Sequence, residues 1–460
     1  MTERERREVA AQLGREPTVP FTVVARCPEG HPLVIRNATR DADGTPFPTR
    51  YWLTCPEAGK AVSRLESAGG IGELNRRFET DSGFRVSLEA SHAAYATERE
   101  TVEPGAGEWG GVGGTRQGVK CLHAHYANFV AGGDDPVGEW TAGHLDAFHE
   151  SPSAPPVAAV DLGTNSIRLL VAVPNEDGSL GDLARDMVIT RIGMDVDRTG
   201  RLDPRNVVNT LAVLARYARR AHALGAIRIG MGATSAVRDA ANRDELLDPA
   251  REIIGSEPRV LTGEEEAAAS FLGATRTLPG LEPPFLVFDI GGGSTEFVLG
   301  TGAPAASIST DMGSVRLTER HVRADPPTED DLARLVADID GFLDRAGAAV
   351  PVRDARTLVA VAGTATTMSA MSMDLPEYDP DRIHGTTLTL EEARAVRDRL
   401  AAMTTPERRA LPFMAPGRED VIVAGAAILV RVLERFGFDR TVVSEHDILD
   451  GLALQTLDVR

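Results

Sequence analysis

Two glycine-containing stretches share one pattern, and this repeat constrains the fold more than any other feature of the sequence. They are VAAVDLGTNSIRLLVAV, residues 157–173, and FDIGGGSTEFVLG, residues 288–300. Laid over each other without a gap, they align Asp161 with Asp289, whereas one position reverses charge, from Arg168 to Glu296. Each stretch reads as a strand, a tight turn and a second strand. The repeat predicts a duplicated, two-lobed domain with a cleft between its lobes.

The chain from Val157 onward alternates strand-like runs with helical patterns, which is typical of an α/β fold. AIRIGMGAT reads as a strand entering a loop, and two long amphipathic patterns predict helices that end at Gly225 and Gly437. The region before it holds every cysteine and tryptophan and predicts a small α+β domain. The predicted segments are an N-terminal domain (1–143), a proline-containing linker (144–156), lobe I (157–285) and lobe II (286–460).

Composition narrows the possible functions. The net charge of −19 argues against general binding to nucleic acid or to anionic membranes. No apolar run is long enough to cross a bilayer, and the charged opening MTERERREVAAQLGRE lacks a signal-peptide core, so we expect a cytoplasmic protein. Lysine occurs only at Lys60 and Lys120, which excludes a P-loop or Schiff-base lysine beyond residue 120. Cysteine ends at Cys121, which excludes a thiolate phosphatase in the larger part of the chain.

The glycine turns are suited to binding phosphate. Glycine lets backbone N–H groups approach an anion closely, and neighbouring hydroxyls supply further donors. Asp161 and Asp289 end the two first strands. Two carboxylates facing a bound phosphate would repel it, so Mg²⁺ with retained waters is the expected mediator. The predicted phosphate-binding residues from the turns are Gly163, Thr164, Ser166, Gly291, Gly292, Gly293, Ser294 and Thr295.

Two motifs lie between the turns. GATSAVRDAAN places Arg238 after a strand end, at what reads as the start of a helix, where a guanidinium can bind phosphate. The alternative is a helix cap with a solvated arginine. TGEEEAAASF predicts a helix whose N-cap is Thr262 and whose capping-box partner is Glu265. Because three glutamates exceed what a cap requires, one of them can accept a proton from an attacking water; the alternative is a solvated acidic first turn.

These motifs, together with RIHGTTL, resemble in order and spacing the exopolyphosphatase and guanosine pentaphosphate phosphohydrolase (Ppx/GppA) family over residues 157–460. The resemblance implies a two-lobed actin-like ATPase fold, also called ribonuclease H-like, with phosphate bound in the cleft. It implies Mg²⁺-dependent removal of the terminal phosphoryl group of inorganic polyphosphate or of guanosine pentaphosphate (pppGpp), a nucleotide of the stringent response, and a homodimer.

The resemblance also implies individual roles. Glu266 matches the glutamate that positions the attacking water, and Asp289 and Glu296 match acidic positions linked to Mg²⁺ and catalysis. Asp161 matches a further acidic position by the metal and the first phosphate loop, which includes Asn165, and Arg238 matches a phosphate-facing arginine. We also expect a role for His384, in the RIHG segment.

Two departures from the family pattern affect the expected substrate. The chain ends soon after VVSEHDILDGLALQTLD, so we expect a short-form enzyme with less groove for a long polymer. Family members often have Arg-Glu-Gly where this chain has Leu449-Asp450-Gly451. If that arginine helps to bind polymer, processive action on long chains is in doubt.

The N-terminal region offers a candidate zinc site. Three segments of one small domain supply the cysteines and histidines Cys27, His31, Cys55, Cys121, His123 and His125, which could assemble a Cys₃His zinc site or a more open one. The expected zinc ligands are Cys27, His31, Cys55 and Cys121. Their spacing matches no standard zinc finger, and the alternative is that the cysteines are small buried hydrophobic residues. The region also resembles an uncharacterised bacterial domain family, which brings no activity with it; fusion to a phosphatase suggests a regulatory or substrate-delivering role.

Three functions remain at this point. The first is hydrolysis of polyphosphate or pppGpp. The second is a non-catalytic module that binds ppGpp or ATP and signals through the N-terminal domain. The third is an actin-superfamily kinase, which ranks last because Glu266 favours water as the acceptor. Retention of Glu266, Asp289 and Glu296 favours an enzyme over a sensor, since a binder needs no general base.

Overall fold

The computed structural model describes residues 2–41, 43–47, 49–145, 155–175, 179–278 and 280–458. By its internal contacts the chain divides into two compact units. Unit 1 comprises Met1–Ala158, Leu170–Asp186 and Ala215–Arg228, and unit 2 comprises Ala159–Leu169, Met187–Leu214 and Ile229–Arg460. This division does not follow chain order, and the predicted domain boundaries stay a prediction. Most of the predicted linker 144–156 lies outside the described residues.

The N-terminal part of unit 1 is a small α+β domain. Its antiparallel sheet has the order β1-β2-β3, with Phe21 opposite Asn37 and Ile35 opposite Trp52. Helix α1 covers this sheet, since Val9 packs against Phe21 and Ile35 in one buried cluster. The strands are β1 (Phe21–Arg26), β2 (Pro32–Asn37) and β3 (Tyr51–Leu53), and the helices are α1 (Glu3–Leu13), α2 (Pro56–Ser67), α3 (Gly70–Thr80), α4 (Ser82–Val102), α5 (Leu122–Val130) and α6 (Pro136–His144).

The next part of the chain forms a five-stranded sheet with the order β6-β5-β4-β7-β8. Its elements are β4 (Val157–Leu162), β5 (Ser166–Pro174), β6 (Leu180–Ile189), α7 (Val196–Thr199), α8 (Pro204–Ala223), β7 (Ile229–Ala233), α9 (Ser235–Asp239), α10 (Asp244–Ile254), β8 (Arg259–Val260) and α11 (Gly263–Arg276). Helix α8 ends before Gly225, which has a φ of +86°. That glycine was predicted to end the helix.

A buried arginine on α8 contacts three other segments of unit 1. Arg220 is 2% exposed, and its Nε donates to the carbonyl of Val130 at 2.7 Å. Nη2 donates to the carbonyl of Val24 at 3.1 Å, and Nη1 pairs with Asp186 at 3.0 Å. Because a buried guanidinium is costly unless its donors are satisfied, this contact fixes α8 against the end of α5 and against β1.

The remainder forms a six-stranded sheet with the order β11-β10-β9-β12-β14-β13. Its elements are β9 (Phe285–Ile290), β10 (Thr295–Gly300), β11 (Pro304–Thr310), α12 (Ser314–His321), α13 (Glu329–Ala349), β12 (Thr357–Val361), α14 (Ala362–Ser372), α15 (Pro380–Ile383), β13 (Thr387–Thr389), α16 (Leu390–Ala402), α17 (Thr405–Arg409), α18 (Ile422–Phe436), β14 (Arg440–Val443) and α19 (Ile448–Asp458). Helices α13 and α18 pack on this sheet through a continuous apolar core that includes Phe288, Phe297, Ile339 and Ile428.

The two sheets repeat one topology. The second sheet has one additional strand, β13, at its edge; when β13 is left out of the count, the strands of each sheet have the order third, second, first, fourth, fifth. The fourth and fifth strands of each sheet are adjacent and parallel, as in β7 with β8 and β12 with β14. The duplication inferred from the glycine stretches is therefore present in the strand order. In the part of the chain that the structure describes, no helix is both long enough and apolar enough to span a membrane.

Helices α11 and α19 approach each other unusually closely. A Cβ added at Gly273 of α11 would lie 1.9 Å from the carbonyl oxygen of Asp447, and one added at Gly451 of α19 would lie 2.0 Å from the carbonyl oxygen of Ala269. Only glycine permits these backbone contacts. They hold the middle and last turns of α11 against the start of α19.

Candidate active site

The two glycine turns make the same backbone hydrogen bond. Gly163 N–H donates to the carbonyl of Ser166, and Gly291 N–H donates to the carbonyl of Ser294, each at 3.0 Å. Each bond closes the turn between two adjacent strands, β4 with β5 and β9 with β10. The prediction of a strand, a turn and a strand is correct in both copies.

The turns meet each other and the start of α9. The hydroxyls of Thr164 and Ser235 lie 3.0 Å apart. A Cβ added at Gly293 would lie 2.4 Å from Ser235 Oγ and 2.7 Å from Thr164 Oγ1, and one added at Gly292 would lie 3.4 Å from the amide nitrogen of Asn165. The glycines are thus required for the approach of three loops, and their convergence places amides and hydroxyls of separate segments together.

Helix α12 holds the second turn in place. The carbonyl of Gly291 accepts from Ser314 N–H at 2.9 Å, and the carbonyl of Gly292 accepts from Val315 N–H at 2.8 Å. Arg316 donates to the carbonyl of Gly293 at 2.9 Å and pairs with Asp239 at 2.9 Å. Thr295 is fully buried and its hydroxyl donates to the carbonyl of Met312, so its side chain stabilises the turn from behind.

Asp289 and Glu296 form a buried pair of like charge. They are register partners on β9 and β10, and they are 6% and 1% exposed. Ser270 donates to Asp289 at 2.6 Å, and Ser309 donates to Glu296 at 2.7 Å. Burial, Asp447 and Glu296 raise the pKa of Asp289 to about 8, and burial raises the pKa of Glu296 to about 7. A bound cation would stabilise both as carboxylates.

The first hairpin carries its own cation instead. Arg168 occupies the position that matches Glu296, and it donates to Asp161 Oδ2 from Nε at 2.9 Å and from Nη2 at 2.6 Å. The same guanidinium pairs with Asp447, at the start of α19. Asp161 Oδ1 is buried and makes no hydrogen bond to any described residue. Asp161 therefore keeps one acceptor for a ligand although Arg168 neutralises its charge.

Glu266 lies in the first turn of α11. Thr262 is the N-cap and forms the predicted capping box with Glu265, which is exposed and also pairs with Arg259 at 3.0 Å. Glu266 is 7% exposed. Burial, Glu296 and Asp289 raise the pKa of Glu266 well above its usual range, against the lowering effect of Arg238. Of the three successive glutamates, Glu266 is thus the buried one that lies near the other acids.

Arg238 joins the α9 segment to Glu266. Its Nη1 donates to the carbonyl of Leu261 at 2.7 Å and to Glu266 Oε2 at 3.3 Å. Among the described residues, no hydrogen bond involves its Nε or Nη2. This position differs from a solvated arginine on a capped helix. Arg238 lies in the last turn of the short helix α9, whereas the sequence suggested its start.

The carboxylates do not surround an ion by themselves. Within the described ranges, three ligating atoms lie within 4.8 Å of one another at two places, both in the N-terminal domain. Asp161, Asp289 and Glu296 form no such group. Mg²⁺ normally keeps several waters and binds through one or two carboxylates together with substrate phosphates, so this wider arrangement of buried acids fits Mg²⁺ with retained waters.

Comparison with known proteins decides the family. Residues 171–459 match the model of the Ppx/GppA phosphatase family. The chain belongs to this family. This Ppx/GppA protein is a phosphate-anhydride hydrolase with a two-lobed actin-like fold. Residues 23–143 match a protein family of unknown function, DUF501.

Three similar proteins illustrate the family. Exopolyphosphatase 2 of Mycobacterium tuberculosis is 44% identical over 310 residues, covering 65% of this chain and 97% of that protein. The guanosine-5'-triphosphate,3'-diphosphate pyrophosphatase of Vibrio atlanticus is 27% identical and covers 67% of this chain and 61% of that protein. The crystal structure of the Aquifex aeolicus PPX-GPPA enzyme is 32% identical, has a TM-score of 0.56, and covers 65% of this chain and 99% of that one.

The structure of this Ppx/GppA protein adds a cation that the sequence analysis missed. Arg418 precedes α18, and its Nη1 donates to Thr367 Oγ1 at 2.9 Å. A Cβ added at Gly363 would lie 2.2 Å from Arg418 Nη2, so the backbone of α14 covers the guanidinium. Burial lowers the pKa of Arg418, and in the described part of the chain no carboxylate forms a salt bridge with it. A cation just before a helix N-terminus opposes the helix dipole, which is the signal that could have revealed it.

His384 has a structural position. Its Nε2 lies 3.0 Å from the carbonyl of Thr277, and its Nδ1 accepts from the N–H of Glu445 at 3.3 Å. Both ring nitrogens are therefore used between α11, α15 and the segment before α19. The expected site role of His384 stays a prediction.

The candidate zinc residues separate into two places. Cys27 and Cys55 are buried, and hydrogen bonding with the Cys55 thiol, together with burial, raises the pKa of Cys27. The ligating atoms of Cys27 and His31 come close together with that of Glu29. Cys121 instead lies with Glu66 and His123. The structure thus does not bring Cys121 into one compact group with Cys27, His31 and Cys55.

Proposed function

We propose that this enzyme uses water to remove the terminal phosphoryl group of inorganic polyphosphate or of pppGpp. The observation that carries the proposal is Glu266, a buried carboxylate that contacts Arg238 and lies near Asp289 and Glu296. A polar cluster of this kind beside glycine turns suits phosphoryl transfer, which depends on positioning and charge neutralisation more than on covalent help.

The glycine turns would bind the terminal phosphate. The segments of Gly163–Ser166 and Gly291–Ser294 contribute backbone N–H groups, and Thr164 and Ser235 contribute hydroxyls at the point where the loops meet. Such groups solvate an anion without adding charge. The unused nitrogens of Arg238 and the guanidinium of Arg418 would bind further phosphate oxygens.

Glu266 would act as the general base. A carboxylate whose pKa lies well above its usual range is a stronger base than one in water, and it still ionises when Arg238 and a bound cation favour the charged form. Its position in the first turn of α11 is fixed by the Thr262 cap and by the Gly273 contact with α19. Water deprotonated at Glu266 Oε would attack the terminal phosphorus.

Mg²⁺ would be held by Asp289 and Glu296, with Asp161 Oδ1 as a further acceptor, and when bound it would neutralise charge on the phosphate oxygens. Arg168 would then balance charge on Asp161 and Asp447 through its two ion pairs. The residues of the first hairpin therefore need no metal for charge balance, whereas those of the second hairpin do.

Polyphosphate and pppGpp share the terminal phosphoanhydride that these residues would bind and hydrolyse. The name of the mycobacterial relative favours polyphosphate, and that of the Vibrio relative favours pppGpp. The second candidate function is regulatory binding of ppGpp or ATP without turnover. The buried Glu266 favours hydrolysis, because a binding module gains nothing from a buried carboxylate next to its anionic ligand.

The decisive experiment measures phosphate release from short-chain polyphosphate and from pppGpp with Mg²⁺, in the wild type and in two matched variants. Glu266→Gln should lower turnover at least about 100-fold while ligand binding persists. Glu264→Gln changes an exposed neighbour in the same helical turn and should retain turnover. Wild-type binding of ppGpp without hydrolysis of either substrate would instead establish the regulatory module.

A further inference from the structure

A second cluster of reactive side chains lies in the N-terminal domain, where the last turn of α2 meets the start of α5. It consists of Glu66, Cys121 and His123, and their ligating atoms all lie within 4.8 Å of one another. His123 Nδ1 is 3.2 Å from Glu66 Oε1. Cys121 is the extended residue before α5, and its thiol forms no helix cap. Three different side-chain types therefore converge from two elements.

The other nitrogen of His123 is anchored. Nε2 lies 3.1 Å from the carbonyl of Gly59 and 3.2 Å from Ser63 Oγ, both on α2. A carbonyl only accepts hydrogen bonds, so Nε2 is the protonated nitrogen, and in the neutral ring Nδ1 presents its lone pair toward Glu66 and Cys121. A backbone carbonyl that fixes the ring through the distal N–H is the usual partner of a metal-binding histidine.

Glu66 is held in the same way. Its Oε1 accepts from Leu122 N–H at 2.7 Å, which satisfies one free donor of the α5 N-terminus. That bond fixes the carboxylate, and the His123 ring and the Cys121 thiol both approach it. Hydrogen-bonded carboxylates are normal among metal ligands.

We propose that Glu66, Cys121 and His123 bind a divalent transition metal, with Zn²⁺ as the preferred ion. Thiolate and imidazole select Zn²⁺ over Mg²⁺ and Ca²⁺, and a carboxylate completes a set of three. Three protein ligands leave one tetrahedral position for water or an external ligand. The side chains of His123 and Glu66 are 30% and 25% exposed, so that position is accessible from solvent.

The proposal differs from the Cys₃His set that the sequence suggested. Cys27 contacts the Cys55 thiol, whereas the other members of its group, His31 and Glu29, have side chains that are 57% and 47% exposed. The ligands around Cys121 are instead held by hydrogen bonds to Gly59 and Leu122. The two hypotheses predict that metal binding depends on different cysteines.

The test titrates Co²⁺ into the reduced full-length protein and follows the near-ultraviolet absorption of thiolate-to-cobalt charge transfer. The wild type should bind one cobalt per chain, and Zn²⁺ should displace it. Cys121→Ser should lose the absorption band, and His123→Gln should weaken binding at least about tenfold. Cys27→Ser and Cys55→Ser are the matched controls and should keep the band.

Loss of the band in Cys27→Ser together with its retention in Cys121→Ser would overturn the proposal, as would the absence of cobalt binding at micromolar concentrations in the wild type. Far-ultraviolet circular dichroism and thermal unfolding of Cys121→Ser and His123→Gln, compared with the wild type, report whether each variant is folded. If Cys121→Ser fails to fold, retention of full affinity in His123→Gln alone contradicts the proposal.

Discussion

Asp289 and Glu296 lie directly opposite each other on β9 and β10, both are buried, and no arginine of the described residues forms a salt bridge with either. Like charges at directly opposed positions of a sheet are destabilising. The matching position in the first hairpin is Arg168, which neutralises Asp161. The first hairpin thus neutralises its buried carboxylate with an arginine. In the second hairpin, the two buried carboxylates depend on protonation or on a bound cation.

This pair predicts the pH dependence of stability without metal. Its members ionise in the unfolded chain near their ordinary pKa values of about 4, whereas in the folded protein the pKa of Asp289 is raised to about 8 and that of Glu296 to about 7. Groups with raised pKa values contribute stability below the unfolded pKa and lose it as pH rises through the folded pKa. Chemical denaturation without Mg²⁺ should therefore show this contribution falling between about pH 4 and pH 8. Asp289→Asn should flatten the profile.

Mg²⁺ should restore the stability that the protein loses as pH rises. Binding to Asp289 and Glu296 requires deprotonated carboxylates, so the gain in unfolding midpoint on adding Mg²⁺ should be larger at pH 8 than at pH 6. Calorimetry in buffers of different ionisation enthalpy should also detect proton release on binding at pH 6.5. An equal gain at both pH values, with no proton release, would exclude these carboxylates as the principal ligands.

Arg168→Gln should destabilise the protein by about 3 kcal/mol or more, because it leaves Asp161 and Asp447 buried without their cation. Urea unfolding measures the effect. Adding Asp447→Asn to that variant removes one of the two uncompensated charges and should restore part of the loss. If the double variant is as unstable as the sum of the single variants, the two residues do not act as a pair.

Gly273→Ala should lower turnover and stability together. The added Cβ would meet the carbonyl oxygen of Asp447 at 1.9 Å, so α11 must separate from α19 and carry Glu266 with it. Gly341→Ala is the matched control, since a Cβ there meets no atom within 4 Å on the exposed side of α13. That variant should gain about 0.5–1 kcal/mol from helix propensity and keep full turnover.

Arg418→Gln should weaken substrate binding without lowering the free energy of unfolding. The wild-type guanidinium is desolvated without a salt bridge among the described residues, so its removal should leave the unfolding free energy unchanged or increased. Substrate phosphates lose a cationic partner, and KM should rise about tenfold or more. Arg353→Gln, at an exposed position, should change neither quantity. An unaltered KM in Arg418→Gln would show that this arginine does not bind substrate.

Local patterns in the sequence predicted much of the site. The Thr262 and Glu265 capping box, the two glycine turns and the helix ends at Gly225 and Gly437 all form as expected, because each depends on backbone rules that act within a few residues. The resemblance to the family selected Glu266 among three successive glutamates. Its burial agrees with that selection, although its catalytic role stays a prediction.

Long-range contacts could not be predicted in this way. Arg168 pairs with Asp447 across 279 positions of chain, and Gly273 meets the backbone of α19, which no local pattern indicates. Arg418 contacts Gly363 and Thr367, more than 50 positions earlier in the chain, and no local pattern indicates these contacts. In the N-terminal domain, sequence proximity of cysteine and histidine could not show that Cys121 lies with Glu66 rather than with Cys27.

The hydrogen bonds of Arg220 limit how the two family segments of this gene can be separated. It belongs to the segment that matches the phosphatase family, yet it satisfies the carbonyls of Val24 and Val130, which lie in the DUF501 segment. A shortened gene that began at Val157 would encode a buried guanidinium without two of its acceptors, and a transplanted N-terminal domain would lack this donor. Recombination that separates the two family segments would therefore leave unsatisfied hydrogen-bonding groups in both products.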